Sequence, residues 1–188
     1  MSMLEEDRRV RDQLVAAGTL HDAYHPEMEE VHLSNADRLA AILDRVGWPD
    51  SRRFGIDGED AAWTILMHSI SRPALLRQGR ELLADAVAQA ASAPALLARL
   101  EDRIRTLEGR PQRYGTIFDW DGEEQLSPLE VEERDTVDER RASVGLPPLA
   151  NDIARYRSEA TAAGSRPPKD PESKARDLQI WLKRTGWR

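Results

Sequence analysis

His68 is the side chain in this sequence that is best suited to proton transfer. It lies beside an apolar stripe of Trp63, Leu66, Met67 and Ile70 in a helix predicted to begin at Asp57. A histidine at the edge of an apolar face can gain and lose a proton near neutral pH, so His68 is predicted to be a general acid or base. Helical spacing places Asp57 within about 40° of His68, which predicts a role in substrate binding. The alternatives are an interfacial histidine bonded to a carbonyl and an Asp57 that only caps the helix.

A short polar run, Gln112-Arg113-Tyr114-Gly115-Thr116, is the second candidate. Its alternation predicts a strand on which Gln112, Tyr114 and Thr116 point the same way. Their amide, phenol and hydroxyl could orient a polar substrate or donate to a developing oxyanion. Tyr114 is therefore predicted to be catalytic, and Gln112 and Thr116 to bind substrate. A purely structural hairpin is the other interpretation.

Arg140 and Arg141 could offer a guanidinium group to an anion. Such a group binds carboxylate, sulfate or phosphate through paired hydrogen bonds. Neighbouring residues on a helix diverge by about 100°, so at most one of the two faces inward. Arg141 is predicted to hold an anionic part of the substrate, and surface ion pairing is the alternative.

A metal site is a further possibility at four residues spaced by 4, 4 and 3 positions, namely His21, His25, Glu29 and His32. Zinc and iron accept such ligands. Pro26 interrupts the helix that would align them, and the sequence has neither an HExxH motif nor a cysteine. The P-loop, the GxSxG motif and the Rossmann glycine pattern are also missing. The sequence therefore predicts no metal ligand and no organic cofactor.

The elements that must position these residues are mostly helices. Apolar residues recur at helical spacing along most of the chain, and such helices must pack on one another to bury their stripes. Asp121-Gly122 signals a hairpin turn. The predicted fold is mainly α, a multi-helix bundle with one small β-hairpin near residues 112–131. Helices are predicted from Ser34 or Asn35, from Asp57, and over residues 94–107, 137–143 and 149–162.

The predicted domains are a helical domain with the hairpin over residues 1–164 and an appendage over 165–188. The segment Ser-Arg-Pro-Pro-Lys-Asp at residues 165–170 reads as a linker. In the helix that follows, Leu178, Trp181 and Leu182 share one face, which could dock on a partner protein. Packing back on the chain's own core is the alternative.

The composition excludes several broad classes. Thirty-four acidic residues against 27 basic ones give a net charge of −7, which offers nucleic acid no general attraction. No apolar run reaches the roughly 18–20 residues that a membrane span needs. The acidic N-terminus is unlike a signal peptide. The sequence therefore predicts a cytoplasmic protein that binds neither membrane nor nucleic acid.

Several short motifs follow one another: His32 with Asn35, Gly47-Trp48-Pro49, Trp63 with His68, Asp102-Arg103, Gln112-x-Tyr114-Gly115-Thr116, Val137-Asp138-x-Arg140-Arg141 and Gly145-Leu146. In this order they resemble a bacterial family of uncharacterised helical proteins, over roughly residues 4–156. The resemblance implies functional roles for Trp48, His68, Gln112, Tyr114 and Arg141, with Trp48 predicted to bind substrate. Met67 departs from the pattern, which would have glutamine there.

Two functions remain open at this stage. The first is a small cofactor-independent enzyme that uses a histidine acid/base on a polar small molecule, by elimination, cyclisation or hydrolysis, in specialised-metabolite biosynthesis for example. The second is a non-catalytic accessory protein that works in a complex through its C-terminal helix.

Overall fold

The computed structural model describes residues 2–16 and 24–188. In these residues the chain forms eight α-helices and one antiparallel two-stranded sheet, which confirms the predicted mainly α fold with a small hairpin. The elements are α1 (Met3–Ala16), α2 (Pro26–Val46), α3 (Ser51–His68), α4 (Pro73–Ala88), α5 (Pro94–Leu107), β1 (Phe118–Trp120), β2 (Leu126–Pro128), α6 (Val137–Ser143), α7 (Leu149–Ala162) and α8 (Pro171–Thr185).

The chain divides into two compact units. The first unit comprises residues 1–92 and 172–187, and the second comprises residues 93–171 and Arg188. Helices α1 to α4 and nearly all of α8 therefore belong to the first unit. The second contains α5, the sheet, α6 and α7. The predicted domain boundary after residue 164 stays a prediction.

The first unit packs the apolar faces of its helices into a core. Val10 and Leu14 of α1 pack with Met28 of α2, next to Tyr24 and Val31. The other fully buried side chains of this unit are mainly leucines, which have high helix propensity and fill space between helices. They include Leu39, Leu66, Leu76, Leu83 and Leu182.

Helix α2 is continuous, so the helix start predicted at Ser34 or Asn35 is wrong. Serine and asparagine favour helix caps because their side chains bond to nearby backbone. Asn35 instead points away from its own helix and donates from Nδ2 to the carbonyl of Met3 at 3.2 Å. Because its side chain has a hydrogen-bond partner on another helix, Asn35 can lie in the middle of α2.

Helix α3 begins at Ser51, six residues before the predicted start at Asp57. Asp50 caps it by accepting hydrogen bonds from the backbone N–H groups of Arg52 and Arg53. The backbone leaves the helical conformation at Gly55 (φ 76°, ψ 165°), in a region of positive φ that glycine adopts without strain. The segment that carries His68 therefore restarts close to Asp57.

The second unit contains the predicted hairpin, but its strands are shorter than expected. Phe118 pairs with Pro128 and Trp120 with Leu126. The predicted strand over Gln112–Thr116 is wrong, because this segment makes only an isolated bridge between Gln112 and Val131. The contacts that shape it are described below.

In the parts of the chain that the structure describes, none of the helices combines the length and the apolar character that crossing a bilayer requires.

Candidate active site

His68 contacts a buried carboxylate of the first unit. Its Nδ1 lies 2.9 Å from Oδ2 of Asp7. An ionised carboxylate can only accept a hydrogen bond, so Nδ1 carries the hydrogen in this pair. The His68 side chain is 41% exposed, whereas that of Asp7 is 8% exposed. Asp7 therefore fixes the imidazole from inside while its other edge reaches solvent.

Asp7 reaches this position because it lies on the buried face of α1. Asp7, Val10 and Leu14 are spaced by three and four residues, which places them on one side of the helix, and all three are buried. Helix α1 packs against both α2 and α3. The carboxylate therefore meets side chains from both neighbouring helices.

His32 of α2 is the second imidazole at this carboxylate. Its Nε2 lies 3.0 Å from Oδ2 of Asp7, and its side chain is 12% exposed. Despite this distance, Nε2 has no hydrogen-bond partner among the described residues, so its approach to the carboxylate is oblique. The rings of His32 and His68 lie 4.9 Å apart between centroids.

The pKa of Asp7 reflects these neighbours. Burial alone would raise the pKa of this carboxyl group, but the contacts with His32 and His68 outweigh that effect. They hold the pKa of Asp7 well below its usual range, because the positive charge of a protonated imidazole beside a carboxylate favours the ionised form of that carboxylate. Asp7 is thus a carboxylate at neutral pH.

A chain of polar groups supports His32 from the other side. Its Nδ1 lies 2.6 Å from the hydroxyl oxygen of Tyr24. Ser71 donates to Oε1 of Glu29 at 2.7 Å. Burial is the main reason that the pKa of Tyr24 lies above its usual value. The phenol therefore keeps its proton.

Helix α8 donates two hydrogen bonds to Glu29, the last residue of this series of polar groups. Trp181 donates from Nε1 to Oε1 of Glu29 at 3.2 Å, and Arg184 donates to Oε2 at 2.6 Å. Burial raises the pKa of Glu29, but the hydrogen bonds from Ser71, Arg184 and Trp181 lower it by a larger amount. The pKa of Glu29 is therefore below its usual value. Glu29 is thus an ionised acceptor for all three donors.

Three atoms of this centre are of the kind that bind metals. Asp7, His32 and His68 each offer one such atom, and these atoms lie within 4.8 Å of one another. Of the other residues considered as ligands, the two that the structure describes do not join them. His25 caps α2 by accepting from the N–H of Glu27 at 3.3 Å, Glu29 is held by α8, and His21 lies outside the described residues.

The two further predicted residues of the first unit are Trp48 and Asp57. Trp48 is 4% exposed, and its Nε1 donates to the buried Glu59 at 2.9 Å. Asp57 is exposed on α3, eleven residues before His68, which is roughly 16 Å along a helix axis. Trp48 is thus part of the packed interior, and the side chain of Asp57 is exposed to solvent.

The apolar face predicted for α8 is largely covered by the chain itself. Trp181 and Leu182 are 9% and 1% exposed, and Trp187 is 6% exposed. Leu178 remains 45% exposed. Two of the three side chains predicted to meet a partner thus pack within the first unit.

In the second unit, the segment Gln112–Thr116 wraps around the carboxylate of Asp102. Oδ1 accepts from the N–H of Arg113 at 2.7 Å, and Oδ2 accepts from the N–H and the hydroxyl of Thr116 at 3.0 and 2.9 Å. The N–H of Tyr114 bonds to the same carboxylate, and Gly115 turns the chain with a φ of +66°. Burial is the main influence on Asp102 and raises its pKa, against these hydrogen bonds.

The remaining predicted residues of this unit use their polar atoms internally. The side chain of Gln112 bonds to the backbone of Ile117 and Leu129. Arg141 is fully buried, donates to the carbonyls of Tyr114 and Pro147, and pairs with Asp152. These contacts shape the unit, and a role in substrate binding stays a prediction.

Tyr114 differs from these residues because its phenol hydroxyl is not used in a hydrogen bond with the described residues. Among the described residues, no hydrogen bond to its hydroxyl is formed, and the guanidinium of Arg113 lies 5.8 Å from its ring centroid. Its catalytic role stays a prediction.

A family model matches residues 1–163, which is most of the chain and includes both units' buried carboxylates. The chain belongs to DUF6624, a family of unknown function. This confirms the resemblance to an uncharacterised family. No curated protein and no solved structure matches the chain.

Asp7 is the residue of this centre that the sequence analysis missed. A signal for it was present, because an acid at the same helical face as Val10 and Leu14 has to be buried with a partner. His68 was found, and His32 was considered in a different set of ligands.

Proposed function

We propose that this protein is a small enzyme in which His68 is the acid/base and a polar small molecule is the substrate. The observation that carries this proposal is that Asp7 fixes Nδ1 of His68 while the imidazole stays 41% exposed. A carboxylate that accepts from Nδ1 sets the tautomer and leaves the lone pair on Nε2. Among the described residues, nothing bonds to that nitrogen.

Such a nitrogen can take a proton from a substrate and return it. The buried charge of Asp7 stabilises the imidazolium that forms, as the orienting carboxylate does in a serine protease triad. Elimination, cyclisation and hydrolysis each need one proton removed and one delivered, so each suits this pair. Tyr114 belongs to the second unit and has no part in this proposal.

The test compares wild-type protein with His68→Gln on a mixture of metabolites. Both proteins are incubated with the same cell extract, and untargeted mass spectrometry identifies compounds that only the wild type consumes. On each such compound we expect His68→Gln to be slower by about 10²- to 10⁴-fold, the usual contribution of a general acid or base.

His25→Asn is the matched control. It changes another histidine of the first unit, and asparagine can replace it as the helix cap. The control should turn over the same compounds at the wild-type rate. Equal turnover by wild type and His68→Gln, or none by either, would overturn the proposal.

A further inference from the structure

The single hydrogen of a neutral His32 has one acceptor in a position to receive it. Nδ1 lies 2.6 Å from the hydroxyl oxygen of Tyr24, which can accept that hydrogen. Nε2, on the other side of the ring, makes no hydrogen bond with any described residue. The hydrogen is therefore assigned to Nδ1 of His32.

A neutral His32 with its hydrogen on Nδ1 has a lone pair on Nε2. That lone pair lies 3.0 Å from the ionised Oδ2 of Asp7. Nε2 is buried and makes no hydrogen bond with any described residue. Two acceptors at this distance repel each other unless a cation lies between or beside them.

The spacing of the three donor atoms suits a metal ion. Bonds of about 2.0–2.2 Å to nitrogen and carboxylate oxygen put neighbouring ligand atoms roughly 3.0–3.5 Å apart. Of the two distances from Oδ2 of Asp7, the 3.0 Å to His32 is at the short end of this range and the 2.9 Å to His68 is just below it. His32 also has the partner on its other nitrogen that orients a metal-binding imidazole.

We propose that Asp7, His32 and His68 bind one divalent transition-metal ion. Two imidazoles and one carboxylate favour zinc, iron or cobalt, whereas magnesium and calcium prefer oxygen ligands alone. The half-exposed side of His68 leaves open positions for water or for a further ligand. The metal takes the Nδ1 atom that otherwise donates to Asp7, so the metal-bound state and the acid/base pair exclude each other.

The inference does not rest on the catalytic role proposed above, because binding is measured without a substrate. The full chain is stripped with a chelator and titrated with Zn²⁺ by calorimetry, and with Co²⁺ by visible absorption. We expect one ion per chain for either metal and no heat with Mg²⁺. Asp7→Asn, His32→Gln and His68→Gln should each weaken Zn²⁺ binding by at least about 100-fold, the upper end of what an outer-sphere partner is worth.

Two variants test the geometry around the ligands. His25→Asn leaves the cluster intact and should bind Zn²⁺ like the wild type. Tyr24→Phe removes the acceptor on Nδ1 of His32 and should weaken binding by roughly 10- to 100-fold. Circular dichroism confirms that each variant is folded, and His68→Gln, at a half-exposed position, provides a folded test if the buried variants fail.

Two results would overturn the inference. The first is the absence of Zn²⁺ binding by the stripped wild type, which would mean that an additional proton lies between His32 and Asp7. The second is binding that persists in Asp7→Asn and His68→Gln, which would place the ion elsewhere. A metal-binding protein whose activity needs the metal would instead keep this inference and overturn the acid/base proposal.

Discussion

Asp102 in the second unit and Asp7 in the first are both buried carboxylates, and their surroundings differ. Asp102 accepts hydrogen bonds from three backbone N–H groups and one hydroxyl of a single loop. Asp7 faces two imidazoles from two helices, and only His68 makes a hydrogen bond with it. The partners of Asp102 cannot change their protonation near neutral pH, whereas both partners of Asp7 can. The first arrangement holds a loop in place, and the second has the side-chain types that the proposed proton transfer or metal binding would use.

The largest expected effect on stability is at Asp102. Asp102→Ala leaves three backbone N–H groups without their acceptor, and each buried group left unpaired costs about 1–3 kcal/mol. We expect a loss of about 4 kcal/mol or more in the free energy of unfolding, measured by urea denaturation.

Asp102→Asn is the graded control for this prediction. Its remaining carbonyl oxygen can accept part of the hydrogen bonds, so its loss should be smaller than that of Asp102→Ala. A loss below about 1 kcal/mol in the alanine variant would show that the loop does not depend on this carboxylate.

Arg141 should come next in size. Arg141→Met keeps most of the volume but leaves the buried Asp152 without one of its two arginines. It also leaves the carbonyls of Tyr114 and Pro147 without donors. Removal of one partner from a buried ion pair costs about 3–5 kcal/mol. If Arg141→Met unfolds at the same denaturant concentration as the wild type, the ion pair makes no net contribution to stability.

Acid should weaken the second unit through Asp152. Burial raises the pKa of Asp152, but its bonds with Arg155 and Arg141 lower it by a larger amount. The pKa of Asp152 is therefore below the ordinary value of 3.8. A lowered pKa stabilises the fold above the unfolded-state value and loses that contribution as pH falls through the folded-state value. The free energy of unfolding should therefore fall below about pH 4.

The control for acid is Asp152→Asn, in which this part of the pH dependence should be absent. Asp7 and Glu29 also have lowered pKa values and contribute with the same sign. The difference between wild type and Asp152→Asn isolates the contribution of Asp152. Parallel curves for wild type and Asp152→Asn would contradict the prediction.

The smallest expected effect on stability is at His68. Glutamine can donate its amide hydrogen to Asp7, and the site is half exposed, so His68→Gln should change the free energy of unfolding by less than about 1 kcal/mol. Thermal denaturation checks this. A much larger loss would move His68 into the class of Asp102, as a structural residue.

The sequence predicted the elements that depend on local signals. Helices α5, α6 and α7 begin and end where the proline, the apolar spacing and the glycines indicate. The hairpin follows from Asp121-Gly122, although its strands start later than predicted. The helix start at Asn35 was predicted wrongly because its partner, Met3, lies on another helix.

The candidate site was harder to predict because it depends on distant residues. His68 was identified by its type and its place at the edge of an apolar stripe. Its partner Asp7 is 61 residues away, and no local pattern connects the two. The alternation in Gln112–Thr116 resembled a strand, but a carboxylate on α5 gathers these N–H groups into a loop.

The hydrogen bonds from α8 to Glu29 have a consequence for truncated variants of this protein. Trp181 and Arg184 supply two of the three hydrogen bonds that keep Glu29 in place, and the ring of Trp181 also packs edge-on against Tyr24, the partner of His32. Truncation before α8 would therefore remove a contact that positions the partner of a histidine far away along the chain. A C-terminal deletion thus alters the candidate active site as well as the surface.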